Sequence, residues 1–190
     1  IELCRDVQAE GLSHARDGAD WARVVAPVDR AARDLRLAFP QDVMRLAVSQ
    51  IARSSAFFPA LLTLQTELQG MVAVLEKQAE RAETIELCRV RTIELGNQLS
   101  AWLVATDAAV TVADTEQENV LWVEAFSSSL QLHQTPLSIA PIFSKQREGA
   151  PRAWIFTSAT LAVKNDFHHF TDQMCLAHVI PRSWPSQLTS

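Results

Sequence analysis

The sequence predicts a mainly α fold, a helical bundle followed by a small α/β portion with a β-hairpin and one core strand. Three observations point there. Only five of the 190 residues are glycine, and the first hundred are drawn largely from Ala, Leu, Arg, Glu, Gln and Val, all compatible with helix and several of them strong formers. Two stretches carry apolar residues at alternating spacings of three and four, as a helix packed along one side does. Beyond about residue 118 the spacing falls to two, the period of a strand. The expected division is 1–118 for the bundle and 119–190 for the mixed portion.

Residues from about Ile1 to Arg16 and from about Ala19 to Phe39 read as two helices separated by Asp17-Gly18, with Pro27 a kink or break in the second. Pro40 opens a new segment, in which Val43, Leu46, Ala47, Gln50 and Ile51 follow a helical period diluted by Gln50. The clearest pattern comes next: Phe58, Leu61, Gln65, Leu68, Val72 and Leu75, then Ile85, Cys88, Thr92, Leu95, Leu99 and Trp102. Two such seams pack side by side at a small crossing angle. An antiparallel helical hairpin turning near 80–84 is the simplest solution. One long bent helix is the alternative, because that turn holds neither Gly nor Pro.

After a polar connection over 107–118, Val120, Trp122 and Phe126 and then Leu130 and Leu132 alternate with other side chains. Ser127-Ser128-Ser129 separates the two runs, so 119–134 reads as a hairpin. Pro136 ends it. Ser138 is placed to cap a short helix through about Arg147, and Gly149-Ala150-Pro151 punctuates before the apolar run Ala153-Trp154-Ile155-Phe156. That run reads as a short buried strand of the kind found in a parallel sheet covered on both faces.

Hydrophobic residues make up 48% and charged residues 21% of the chain, the composition of a packed globular domain rather than a disordered one. The formal net charge is −5, so any contact with nucleic acid must come from local basic patches, since the surface as a whole repels phosphate. Cys4, Cys88 and Cys175 lie far apart, with neither metal-ligand spacing nor a disulfide framework, which fits a reducing cytoplasm. No apolar run of the length needed to cross a bilayer is evident, and the first residues carry neither an initiator Met nor a signal-peptide pattern, so the chain reads as cut from something longer.

Directly after the apolar run stands Thr157-Ser158-Ala159-Thr160-Leu161, with a helix expected from Asp166. Small hydroxyl residues at the C-terminal edge of a buried strand lie where open α/β sheets place ligand and coupling groups; a plain helix-capping turn has the same composition. The stretch Arg152 to Leu161, with Phe167 and Phe170 following, closely resembles the segment of DinG/XPD-type superfamily 2 DNA helicases that carries motif III. Leu132 through Phe143, centred on Thr135-Pro136-Leu137-Ser138-Ile139-Ala140, is similar to the strand and short helix preceding that motif in the bacterial members, especially the YoaA-like branch. The specific part of the resemblance runs from about Leu130 to Leu176.

The resemblance implies that the helices form the arch-type insertion of such an enzyme and that 119–190 supplies part of its first motor domain, with an incomplete sheet. The parent enzyme would hydrolyse ATP with Mg2+, carry a 4Fe-4S cluster, and translocate 5′ to 3′ on single-stranded or forked DNA in the bacterial cytoplasm, associated with the nucleoid. Thr157, Ser158, Ala159, Thr160 and Leu161 would couple hydrolysis to strand movement. No catalytic residue is expected in this chain, which has no G-x-x-x-x-G-K-[ST] phosphate loop, no Asp-Glu-Ala-His sequence, no four-cysteine site and no arginine motif of a second motor domain. It would itself be inactive and bind none of these cofactors. Two departures from the pattern fall late: Cys175 stands where glycine is common, and Ser186-Gln187-Leu188 lacks the usual Pro-Phe.

Lys77, Arg81, Arg89 and Arg91 gather near the expected hairpin tip and are candidate DNA contacts, although Glu76, Glu80, Glu83 and Glu86 interleave with them as on a solvated, ion-paired surface. No metal site is expected: neighbouring helical residues such as His168 and His169 point apart, and Asp166 serves better as a helix cap. Cys88 on its seam reads as a small hydrophobe. No membrane partner is expected, and the chain alone would self-associate through an exposed sheet edge. The competing class is a stand-alone helical protein-interaction module whose groove binds a partner helix.

Overall fold

The computed structural model describes residues 1–40, 43–52, 54–111, 119–148, 153–157, 166–174 and 176. They divide into two compact units, Ile1–Thr135 and Pro136–Ser190.

The first unit is built on four helices: α1 (Glu2–His14), α2 (Trp21–Leu37), α3 (Phe57–Glu76) and α4 (Glu83–Thr111). The break at Asp17-Gly18 lies where expected, and the Asp20 carboxylate caps α2 by accepting the Arg23 amide at 3.1 Å. Helix α2 runs through Pro27 unbroken. Pro27 lies on the exposed face, where water can serve the carbonyl that loses its amide partner. Gly11 is required by the packing of α1 on α2. A Cβ there would lie 2.1 Å from the ring of Trp21, which is fully buried and donates from Nε1 to the Ala15 carbonyl at 2.7 Å. Gly11→Ala is therefore expected to destabilise the protein by about 1–3 kcal/mol despite the better helix propensity of alanine. Chemical denaturation checks this; unchanged stability would mean that the indole moves aside freely.

Helices α3 and α4 form the antiparallel hairpin. The turn manages without glycine because its bounding residues keep negative φ: Lys77 at −72°, Gln78 at −116° and Ala82 at −160°. A short 3-10 turn, Ala79–Arg81, completes the reversal. Leu61, Leu68, Leu75, Ile85, Cys88, Leu99 and Trp102 of the expected seams are buried. Thr92 is also buried, and its hydroxyl is satisfied by the Cys88 carbonyl at 2.7 Å. Gln65 and Ser100 hydrogen-bond across the pair at 2.6 Å. Two details differ from the expected seam: Phe57 rather than Phe58 is the fully buried ring, and Leu95 is 43% exposed. Helix α3 has the length and mean hydropathy, 1.2, that would suit a membrane span. Here it packs between α2 and α4.

The stretch after Pro40 is a correction. Met44–Ala47 is a strand, β1, followed by a 3-10 turn at Val48–Gln50. It pairs antiparallel with β2 (Asn119–Ala125), Met44 facing Ala125 and Ala47 facing Trp122. Four residues of weak helical pattern yield to a ladder offered by a distant strand. With β3 (Leu130–Pro136) the sheet has the order β1-β2-β3.

The hairpin is therefore as placed, and Leu130 and Leu132 of β3 pack on the core as their spacing implies, but the face of β2 is inverted. Leu121, Val123 and Ala125 are buried toward the helices, whereas Val120 and Trp122 lie on the other face. Apolar residues at four consecutive positions leave periodicity indifferent, and a register one residue away exchanges the faces. As a packing unit the hairpin goes with the helices, within the compact unit Ile1–Thr135.

In the second unit the expected short helix forms as α5 (Ala140–Arg147); Ile139 holds its N-cap position, and Ser138 Oγ, one residue earlier, accepts the Ala140 amide at 3.3 Å. The expected core strand is corrected: Ala153–Thr157 forms no ladder among the described residues, and Ile155 is 87% exposed. A strand needs a neighbour to satisfy its amides, and no described segment provides one. Trp154 and Phe156 instead pack edge-on to Phe143, at 5.0 and 5.5 Å, and Phe156 to Phe170 of α6 (His168–Gln173) at 5.3 Å. Asp166 accepts the His168 amide at 2.9 Å from the position before Phe167, which holds the N-cap of α6 in place of the expected Asp166. His168 and His169 are exposed.

Candidate nucleic-acid interface

Of the four basic residues near the α3–α4 turn, three are held by carboxylates. Arg81 donates to Asp17 at 2.5 Å, Arg89 to both oxygens of Glu86 at 2.6 and 2.7 Å, and Arg91 to Asp6 of α1 at 2.7 Å. The electrostatics agree: the Arg81 guanidinium holds the Asp17 carboxyl below its ordinary range, Arg89 does the same to Glu86, and the hydrogen bonds to Glu86 and Asp6 raise Arg89 and Arg91. A phosphate reaching these arginines must displace an existing partner. Lys77, exposed at the end of α3, makes no ion pair among the described residues.

Thr157 is exposed and follows the Phe156 ring directly; Ser158, Ala159, Thr160 and Leu161 lie outside the described residues. Cys88 sits in the α1–α4 contact with burial pushing its thiol up, as burial also does for Cys4, so neither is a ready nucleophile.

A cluster that the sequence reading did not find lies on the sheet face turned away from the helices. Arg45 on β1 donates from Nε to Glu124 Oε1 at 2.6 Å, across paired positions. The Trp122 indole stacks on the His133 imidazole with centroids 3.8 Å apart and planes 6° from parallel, and the Arg45 guanidinium carbon lies 5.5 Å from the indole centroid. Thr135 Oγ1 accepts the indole N–H at 3.0 Å. The Glu124 side chain is only 10% exposed, and its Oε2 lies 3.5 Å from His133 Nε2. That approach is an ion-pair distance without hydrogen-bond geometry, so the buried Nε2 has no hydrogen-bond partner. The signal available in sequence was Glu124 within the Trp122 series, which marks that series as the outward one.

On the helix side of the hairpin runs an apolar groove. Two cavities of about 540 and 510 Å³ share Leu35, Leu64 and Leu130, and the second is also lined by Leu68, Leu95, Leu99 and Trp102. Exposed Leu95 thus belongs to a groove wall.

No family model matches the sequence, and no solved structure matches it. The chain is 27% identical over 184 residues to ATP-dependent DNA helicase YoaA of Escherichia coli (strain K12), and 25% identical over 179 residues to the protein of that name in Haemophilus influenzae. Each alignment covers 92% of this chain and 26% of the relative. The resemblance carried by Leu130 to Leu176 therefore extends over nearly the whole chain, which spans about a quarter of the length of the YoaA-type ATP-dependent DNA helicases it is similar to.

Proposed function

We propose that this chain is the arch-type helical insertion and the motif III region of an ATP-dependent DNA helicase of the DinG/XPD type, acting in the bacterial cytoplasm. The observation that carries this reading is the similarity to two YoaA helicases over 92% of the chain. In this reading α1 to α4 and the hairpin help to guide single-stranded or forked DNA, with Lys77, Arg81, Arg89 and Arg91 as phosphate contacts. Thr157 to Leu161 couple hydrolysis to 5′ to 3′ movement. Hydroxyls such as those of Ser158 and Thr160 both donate and accept, so they can exchange partners between nucleotide states.

ATP, Mg2+ and a 4Fe-4S cluster belong, in this reading, to other parts of the enzyme. The residues present do not fit them: the sequence has no phosphate loop, no Asp-Glu-Ala-His and only three cysteines. Hydrolysis by the chain alone is not part of the proposal. A free sheet edge, at β1 or β3, would carry any self-association.

The groove shared by Leu35, Leu64 and Leu130 favours a second reading, a helical module that binds an amphipathic partner. The coupling role separates the two. In the full-length helicase Thr160→Ala is expected to reduce DNA unwinding more than DNA-stimulated ATP hydrolysis, read in parallel strand-displacement and phosphate-release assays. Equal loss of both, or loss of neither, counts against coupling.

A further inference from the structure

We propose that the outward face of the β1-β2-β3 sheet is a stacking site for unpaired bases of single-stranded DNA, built on Trp122 and His133 with Arg45 beside them. The proposal rests on the strand-guiding reading above, but it places the contact on the sheet rather than at the basic helical tip.

Three features carry it. First, the planar groups are already assembled. Imidazole and indole lie parallel at 3.8 Å, the indole N–H is fixed by Thr135, and Arg45 is anchored through Nε on Glu124. A base added to this stack meets side chains whose rotamers are already chosen, so little ordering entropy opposes it. Second, the face is open. Leu121, Val123 and Ala125 turn the other way into the core, while Arg45 has 71% of its side chain exposed and His133 30%. Third, the stack is braced from beneath: the Glu124 side chain, 10% exposed, holds Arg45 through Oε1 at 2.6 Å and lies 3.5 Å from the buried His133 Nε2 through Oε2.

Charge selects the kind of nucleic acid. The chain carries a net −5, and Arg45 at this face is already shared with Glu124. With Arg45 so paired, backbone phosphates contribute little, and stacking supplies the affinity. Stacking requires exposed base faces, which single strands offer and duplexes keep inside.

The test uses the 190-residue protein and a fluorescein-labelled oligo(dT) of about 15 nucleotides, a length within the usual span of such sites. Anisotropy titrations should give measurable binding with a log Kd against log[salt] slope of about one or less, and weaker binding to the matching duplex. Trp122→Ala and His133→Ala should each weaken binding by about 5- to 30-fold, with Trp122→Phe retaining most of it. As Trp122→Ala also removes a cross-strand contact, a readout on the unmodified protein accompanies it: photocrosslinking to an iododeoxyuridine oligonucleotide, with the adduct mapped to Trp122 or His133. Absence of binding at the highest soluble concentration overturns the proposal, as do adducts confined to other residues. If Trp122→Ala binds normally while Arg81→Gln and Arg89→Gln together abolish binding, the stacking site falls and the strand-guiding reading survives.

Discussion

Trp102→Ala is expected to lower the free energy of unfolding by about 3–5 kcal/mol, the range for removing a large aromatic from a packed core. Trp102 is 5% exposed and stands edge-on to Phe57 at 6.1 Å, and Phe57 in turn contacts Phe39 and Phe58 at 5.2 Å each. The space would open where α3, α4 and the hairpin meet. The indole also donates to the His133 carbonyl at 3.2 Å, joining α4 to β3. Trp102→Phe separates the two contributions. It keeps most of the apolar contact and drops the donor, so its loss should be nearer 1 kcal/mol beyond the volume change. Urea titrations with unchanged slope would report both. A loss below about 1 kcal/mol for Trp102→Ala would place the ring at a surface able to repack.

How much of this fold can be read in the chain depends on how local its causes are. The α3–α4 hairpin is legible because its two seams are each written within one helix, and the α1–α2 break because Asp17-Gly18 and Asp20 act on their own neighbours. Strand β1 is not, because what makes Met44–Ala47 a strand is β2, with Arg45 and Glu124 separated by 79 positions. The same separation hides the Arg45, Trp122, Glu124 and His133 cluster, which exists only once three strands are aligned. The inverted face of β2 has a different origin, since Val120, Leu121, Trp122 and Val123 are all apolar and only Glu124 breaks the tie. Ala153–Phe156 has strand-like residues without a described neighbour to pair with, and its aromatic rings find Phe143 and Phe170 instead. The motif III reading of Thr157 to Leu161 rests on resemblance alone, since nothing in Thr-Ser-Ala-Thr distinguishes coupling from capping on physical grounds.

Arg36 gives the second large expectation. It is charged and lies in the last turn of α2, yet is only 9% exposed. Its guanidinium donates from Nε to the Phe126 carbonyl at 2.5 Å and from its two terminal nitrogens to the Phe39 and Pro40 carbonyls at 3.1 and 3.0 Å. It thus closes the carboxyl end of α2, where a cation is favoured by the helix dipole, and ties that end to the β2–β3 turn 90 positions away. Arg36→Met keeps the length of the apolar stem and removes every donor, leaving three carbonyls to find water in a partly closed site. The expected loss is about 2–4 kcal/mol, since bonds from a charged donor contribute more than neutral ones and their acceptors are left unsatisfied. Arg36→Lys should recover only part of it, because one ammonium cannot span the three directions a planar fork reaches. Hydrogen exchange offers the sharper readout: amides near Phe126 and Ser129 should lose protection in Arg36→Met before those of the α3–α4 core do. Uniform loss across both regions would mean that the hairpin turn is held by the sheet ladder itself and that Arg36 serves only its own helix.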